Sequence, residues 1–302
     1  MDIVLNLPWF GDERRAQARL GIEPVKRLHD EVVKPVAVKE TRGAWYRDWR
    51  VVSLDGSTLD LADTQENARE FGRPGASRGK SAFPKLRFVS LVENGTHVLF
   101  GSAWGPYDTQ EVTLTRQVLP HLKPGMLCLA DRNFHSYELW RQARATKADL
   151  VWRVKRNARL DPLKRFSDGS YLAKIYPSSK DRRYDTKGVV VRVVDYKLRH
   201  VPGSDPVYRI ITTILDPEAA PACELAALYH ERWEIETAFD ELKTHLRGAQ
   251  VILRSKTPEL VIQEFYGLMM AHFAVRAIMH EAALKADVDA DHLSFVHTVR
   301  VV

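Results

Sequence analysis

Apolar and polar positions along this chain keep two rhythms, one of strands and one of helices, and the chain changes between them several times. Residues 49–55, WRVVSLD, and 125–134, GMLCLADRNF, each hold a short apolar run that meets its first acid at Asp55 and Asp131. Runs of that length read as buried strands, and the DGS after the first reads as a turn. Residues 86–104, LRFVSLVENGTHVLFGSAW, set two apolar runs around Asn94-Gly95, the pattern of a hairpin closed by a type I′ turn. Residues 12–35 predict two short helices, with Pro24 opening the second. Residues 72–84 form a basic loop rich in Gly and Pro. The stretch 108–122 is amphipathic and helical with Asp108 as its N-cap, and 136–148 predicts another helix. From 150 to 215 β-branched residues alternate with basic ones, which predicts a β region. Helices return over Ala222–Leu246 and over 259–286, the latter with Thr257 as N-cap and Pro258 in its first turn. This order predicts one α/β core carrying an inserted, mainly-β subdomain.

Composition narrows the class. At 302 residues, 45% hydrophobic and 28% charged, the chain has material for one large domain or two modest ones. Its two cysteines, Cys128 and Cys223, stand far apart and outside any CxxC. That excludes a disulfide framework and a thiolate zinc site, and it fits a reducing cytoplasm. The start, MDIVLNLPWFGDERR, has neither a basic n-region nor a sustained apolar stretch, so no signal peptide is expected. The most apolar run, 265–279, is interrupted by His272 and Arg276 and reads as a buried helix, with no membrane span expected. His272 and His280 read as ordinary helix residues far from any acid pair.

The net charge of +6 is unevenly placed. Residues 141–200 hold 17 Lys and Arg against 6 Asp and Glu, whereas 201–302 hold 9 against 15. A local excess of that size points to a polyanionic partner, most simply nucleic acid. A solvated basic β region is the plainer alternative.

Candidate chemistry sits on the acids. If the two apolar strands are neighbours, Asp55 and Asp131 lie side by side at their ends, and Glu236 reaches them from the following helix. Three converging carboxylates repel one another and call for a divalent cation. An all-oxygen ligand set selects Mg²⁺ or Mn²⁺, and two such ions suit phosphodiester chemistry. On a uniform helix, with about 100° per residue, Tyr229, Arg232, Glu236 and Lys243 share a stripe ~60° wide. The stripe borders the apolar face of Leu228, Ile235, Phe239, Leu242 and Leu246, as the edge of a cleft would. Asp240 joins the stripe and offers itself as a partner for Lys243 or Arg232. By spacing alone, an active-site wall and a plain salt-bridge face stand level.

The helix also matches Y-(2)-R-(3)-E-(6)-K at all four positions. In this it resembles the DDE transposases of bacterial insertion sequences, in the group named for insertion sequence four, which includes the transposon-five type. VVSLDGSTLDL and LCLADRNFHSYELW resemble the first- and second-Asp blocks of that family. VYRIITTILD resembles the strand before its catalytic helix, and TPELVIQEFYGLMMAHFAVRAIM the helix after it; together the blocks span roughly 45–285 in the family's order. The resemblance implies an RNase H-like core with a β subdomain inserted between the second Asp and the Glu. It divides the chain into a remnant of an N-terminal helical DNA-binding region (1–45), core (46–149), insertion (150–215) and core (216–302). Its members usually carry a longer N-terminal region, so the chain is expected to be a fragment or a compact member.

What the resemblance implies is cut-and-paste transposition. Asp55, Asp131 and Glu236 would hold two Mg²⁺, with Mn²⁺ able to substitute, while Tyr229, Arg232 and Lys243 contact DNA phosphates. Double-stranded DNA would be the partner, both as inverted-repeat ends and as target, engaged by a homodimer in a synaptic complex. Further DNA-contact candidates are Arg132 beside Asp131, Lys80 and Lys85 at the basic loop, and the aromatics Tyr208 and Trp152, either of which would stack on a flipped base. The alternatives are a Mg²⁺-dependent nuclease on the same scaffold, or a non-catalytic fragment acting as an inhibitor. A zinc enzyme is disfavoured by the lack of His and Cys ligand spacing.

Overall fold

The structure, a computed structural model, describes residues 19–75, 83–198, 206–247 and 252–302. The first half runs α1 (Ile22–Val32), β1 (Trp45–Tyr46), β2 (Trp49–Leu61), α2 (Gln65–Phe71), β3 (Lys85–Glu93), β4 (Val98–Pro106), α3 (Glu111–Val118), β5 (Met126–Ala130) and α4 (Tyr137–Ala145). There follow β6 (Asp149–Arg153), β7 (Lys164–Arg165), β8 (Tyr171–Ile175), α5 (Ser179–Arg183), β9 (Val189–Tyr196) and β10 (Tyr208–Thr212). The last part holds α6 (Ala222–His230), α7 (Glu234–Asp240), β11 (Ile252–Leu253), α8 (Pro258–Ala286) and α9 (Phe295–Val301).

All eleven strands belong to one sheet, in the order β4-β3-β2-β5-β6-β10-β9-β8-β7, with β1 and β11 paired to β2. Three antiparallel strands (β4, β3, β2) adjoin two parallel ones (β5, β6). The strands of residues 150–215 then continue the same sheet through β10 against β6. A parallel step needs a crossover, and α4 supplies it between β5 and β6. Because both sheet faces are covered, β5 is apolar at every position, MLCLA, instead of alternating. Cys128 and Ala130 pack on the Trp140 side, and Leu127 and Leu129 on the α6 side. A third cluster joins Phe88 and Leu61 to Ile235, Phe239 and Leu242 of the α7 region and to Phe265 of α8. Among the described residues no helix is long and apolar enough to cross a membrane.

Several local expectations change. The DGS stretch is not a turn: β2 passes straight through it, because β3 offers a ladder partner as far as Asp60↔Lys85, including Asp55↔Ser90 and Gly56↔Val89. The hairpin closes at Glu93↔Val98 around a four-residue loop instead of a type I′ turn. Left-handed φ falls at Gly95 (76°) and His97 (55°), not at Asn94. A Cβ on Gly95 would lie 2.3 Å from the Arg42 carbonyl oxygen, so only glycine fits there. Helix α3 is capped at Gln110, not Asp108. At the N-terminal end α1 contains Pro24, while the first helix expected in that region lies mostly outside the described residues. Helix α8 forms from Pro258 with Thr257 at its N-cap. The expected single helix over Ala222–Leu246 is four segments: α6, a 3₁₀ turn at Glu231–Trp233, α7 and a π segment at Glu241–His245.

Candidate active site

The register of two strands builds the site. The parallel ladder between β2 and β5 ends with Leu54↔Ala130. The next residue on each strand is an acid, so Asp55 and Asp131 stand side by side at roughly the ~4.8 Å spacing of adjacent strands. Beyond that pair β5 stops in the turn Asp131–Phe134, closed by the Phe134 amide on the Asp131 carbonyl at 3.1 Å. Strand β2 runs on, which leaves its residues after Asp55 without a β5 partner on that side. By the two-residue alternation Val51, Ser53, Asp55 and Ser57 share the face covered by α6 and α7.

From that covering segment the four motif residues descend on the acids. The Arg232 guanidinium donates to Asp55 Oδ2 at 2.9 Å and to Glu236 Oε1 at 3.5 Å. Lys243 Nζ donates to Ser57 Oγ at 3.0 Å, and the Tyr229 hydroxyl to the Ala130 carbonyl at 3.4 Å. Tyr229 and Arg232 are buried, whereas half of the Glu236 side chain meets solvent. The uniform helical wheel is therefore corrected. A 3₁₀ turn winds tighter than an α-helix and a π segment looser, and both lie between Tyr229 and Lys243. Asp240 pairs with neither Lys243 nor Arg232; it accepts from Thr244 at 2.8 Å and lies 3.1 Å from His245.

Electrostatics at the centre are strained by crowding. Burial pushes the Asp55 carboxyl up to about 6; the Gly56 amide and Arg232 pull against it, while Glu111 and Asp131 add to it. Asp131 Oδ1 is buried with no hydrogen-bond partner, and Arg153 Nη1 lies 4.0 Å from it. An orphaned carboxylate oxygen next to the Asp55 carboxyl is what a hard cation would fill, and an all-oxygen donor set of Asp55, Asp131 and Glu236 would fit Mg²⁺ or Mn²⁺ better than softer ions.

Sequence reasoning missed three neighbours. Arg153 follows Trp152, which pairs with Ala130, so the β5/β6 register sets it beside Asp131; its guanidinium also covers the Tyr208 ring at 4.4 Å. Ser57 anchors Lys243. Glu111 lies over Gly56, where an added Cβ would come within 3.0 Å of its carboxyl carbon, and is held by Arg87 at 2.7 Å. The Asp-Gly-Ser stretch carried part of that signal, since Gly56 leaves room for a side chain from elsewhere.

The further DNA-contact candidates scatter. Tyr208 is half-buried and stacks on Tyr196 with ring centres 5.3 Å apart. Trp152 is fully buried and edge-on to Trp140, so it is a core residue with no surface for a base. Lys85 is ion-paired with Asp60. Arg132 is exposed beside Asp131. Lys80 lies outside the described residues. His272 is also corrected: it is fully buried with Nε2 3.2 Å from Glu241. His280 meets the Thr41 hydroxyl at 2.8 Å.

One strand register thus pairs two acids, and the helix packed across them carries a third. The chain belongs to the transposase DDE domain family, whose pattern matches residues 47–274. It is similar to the transposase InsG of insertion sequence element IS4 from Escherichia coli, 27% identical over 296 residues; these cover 94% of this chain and 65% of that protein. It is also similar to the putative transposase InsZ of the same organism, 24% identical over 126 residues, 41% of this chain and 42% of that one. Among solved structures, the piggyBac transposase synaptic complex with hairpin DNA matches at a TM-score of 0.49 and 12% identity, covering 83% of this chain and 50% of that one.

Proposed function

We propose that this chain is the catalytic core of a DNA transposase that cuts at the ends of an insertion sequence and joins the freed 3′-OH to target DNA. The observation that carries this reading is the register Leu54↔Ala130, which brings Asp55 beside Asp131, with Glu236 linked to Asp55 through Arg232. Three antiparallel strands followed by two parallel ones, in the order β4-β3-β2-β5-β6, support an RNase H-like core. Residues 150–215 then make the insertion and 46–149 with 216–302 the core. Residues 1–45 belong to an N-terminal DNA-binding region.

Asp55, Asp131 and Glu236 are the residues that would hold two divalent cations, Mg²⁺ foremost. Such ions, when bound, supply charge neutralisation at phosphorus and a more acidic attacking hydroxyl. In cleavage a water oxygen bonds to phosphorus as the P–O3′ bond breaks, releasing the 3′-OH. In joining, that 3′ oxygen attacks a target phosphorus and displaces another 3′ oxygen. The chain's own part is to place the acids, through the strand register, and to bring cations to the phosphates. With Asp55 and Glu236 held by cations, Arg232 would be available for a phosphate fork, and Lys243 would add a point charge by Ser57. Two chains act together, one at each end of the element.

The test is cleavage of a DNA end carrying the element's own terminal repeat, with Mg²⁺, by the parent and by Glu236→Gln. The expected result is release of a 3′-OH by the parent and loss of at least a hundredfold in the variant, with DNA binding kept by both. Equal cutting by Glu236→Gln sinks the assignment of that helix.

A further inference from the structure

A second group of ionisable side chains gathers where the β3–β4 loop, α7, the π segment, α8 and the turn at 290–292 meet. His97 is at its centre. Its Nδ1 lies 3.3 Å from Glu241 Oε1, and its Nε2 lies 3.3 Å from Asp291 Oδ1 and 3.8 Å from Glu234 Oε2. One ligand atom each from His97, Glu234 and Asp291 falls within 4.8 Å of the others. The imidazole is 5% exposed, and its Nε2 is buried with no hydrogen-bond partner although it is aimed between two carboxylates. Arg276 also faces the group, 3.4 Å from Glu241 and 3.6 Å from Asp291, and His272 contacts Glu241 from the far side at 3.2 Å.

We propose that His97 Nε2 and the carboxylates of Glu234 and Asp291 form a site for one divalent transition-metal cation of the Zn²⁺ class. Three arguments converge on it. The carboxyl groups of Glu234, Glu241 and Asp291 face the single guanidinium of Arg276 within one group, an acidic excess that a dication would relieve. On a tetrahedral ion with bonds of about 2.0–2.1 Å, neighbouring ligand atoms lie ~3.3 Å apart, close to the separations His97 Nε2 already keeps. Glu241 accepts from Nδ1, which fixes the tautomer that leaves the Nε2 lone pair facing the carboxylates; this is the support that metal-binding histidines usually have.

An imidazole with two carboxylates favours Zn²⁺ over Mg²⁺, the reverse of the all-carboxylate centre at Asp55. Asp291 is 42% exposed and borders a cleft of about 390 Å³, which gives the ion an entry path and room for a water. The site would tie the β3–β4 loop and the 290–292 turn to α7, the helix that carries Glu236. It stands or falls independently of transposition.

The test is calorimetric titration of the EDTA-treated full chain with ZnCl₂ in excess Mg²⁺, alongside Asp291→Asn and Glu234→Gln. Expected is one Zn²⁺ per chain at micromolar affinity or tighter, weakened at least tenfold in each variant. The unfolding midpoint of the parent, and not of the variants, should rise with Zn²⁺. Asp291 is half exposed, so its variant folds; an unchanged metal-free midpoint checks this. Absence of saturable Zn²⁺ uptake by the parent overturns the proposal. So does uptake that both variants keep unchanged, which would place the ion on another histidine or on Cys223.

Discussion

Gly56 shows how narrowly single residues fit around this centre. The glycine lies beside Asp55 in a strand, where any residue has an allowed backbone, yet Glu111 occupies the space its Cβ would need. Gly56→Ala should cost about 1–3 kcal/mol, the range for forcing extra volume into a packed site, and should displace the Glu111–Arg87 pair. Combining it with Glu111→Ala should recover much of that loss, a coupling that urea unfolding of the two single variants and the double variant would measure. Equal losses in both backgrounds would remove Glu111 as the cause. His135, just after the Asp131 turn, gives a pH signature. Burial pushes its imidazole down to about 4, with Lys155 adding to the effect, and its Nε2 is buried without a hydrogen-bond partner. The unfolded chain takes up a proton near pH 6.5 that the folded chain refuses until about 4. Stability from this group is therefore full above pH 6.5 and falls by ~2–3 kcal/mol as the pH drops toward 4. His135→Gln should flatten that part of the stability profile, and a profile identical to the parent's would show that other groups set it.

At the scale of elements, what the sequence made legible depended on whether the cause was local. Strand β5 and helix α8 form about where their patterns predict, because an apolar run and a Thr-Pro start act on their own neighbourhood. Asp55 and Asp131 were readable as first acids after apolar runs. Their pairing was not, because register is a property of two strands. The DGS stretch looked like a turn because nothing local announces that β3 will pair beside it. The break in the helix expected over Ala222–Leu246 has a similarly remote cause. Glu241, inside the π segment, is reached by His97 from the hairpin loop and by His272 and Arg276 from α8. Burial pushes its carboxyl up, but the bonds from His272 and His97 and the charge of Arg276 outweigh it and hold it at about 2. Glu241→Ala would leave Arg276 buried without that charge, at a cost of about 3–5 kcal/mol. If the π turn exists to satisfy Glu241, the same change should also move Lys243, so strand cleavage should fall further than Glu241→Gln allows. Comparable cleavage by the two variants at matched stability would separate the π turn from the site.

The whole molecule decides how the basic excess of residues 141–200 is to be read. Part of it is already paired: Arg192 is fully buried on Asp168 and the Ala220 carbonyl, while at the surface Lys174 pairs with Asp185 and Arg159 with Asp161. The Arg192 charge is structural, and charges already paired with carboxylates add little net attraction for a polyanionic partner. Lys155 and Arg156 differ, because both are exposed just past the end of β6, two and three residues after Arg153, whose strand pairs with β5 ahead of Asp131. A duplex whose cleaved phosphate lies at Asp55 and Asp131 would pass over them. Each phosphate contact that releases a counterion adds about 0.9 to the slope of log affinity against log salt. Lys155→Ala with Arg156→Ala should therefore weaken duplex binding and lower that slope by ~2, uniformly across DNA sequences, because phosphate contacts position without reading bases. Fluorescence anisotropy over a salt series, with the thermal midpoint as a control for folding, measures both quantities. A slope equal to the parent's would move the DNA path off this edge of the sheet. A change confined to one sequence would make these residues readers of bases instead of grips on the backbone.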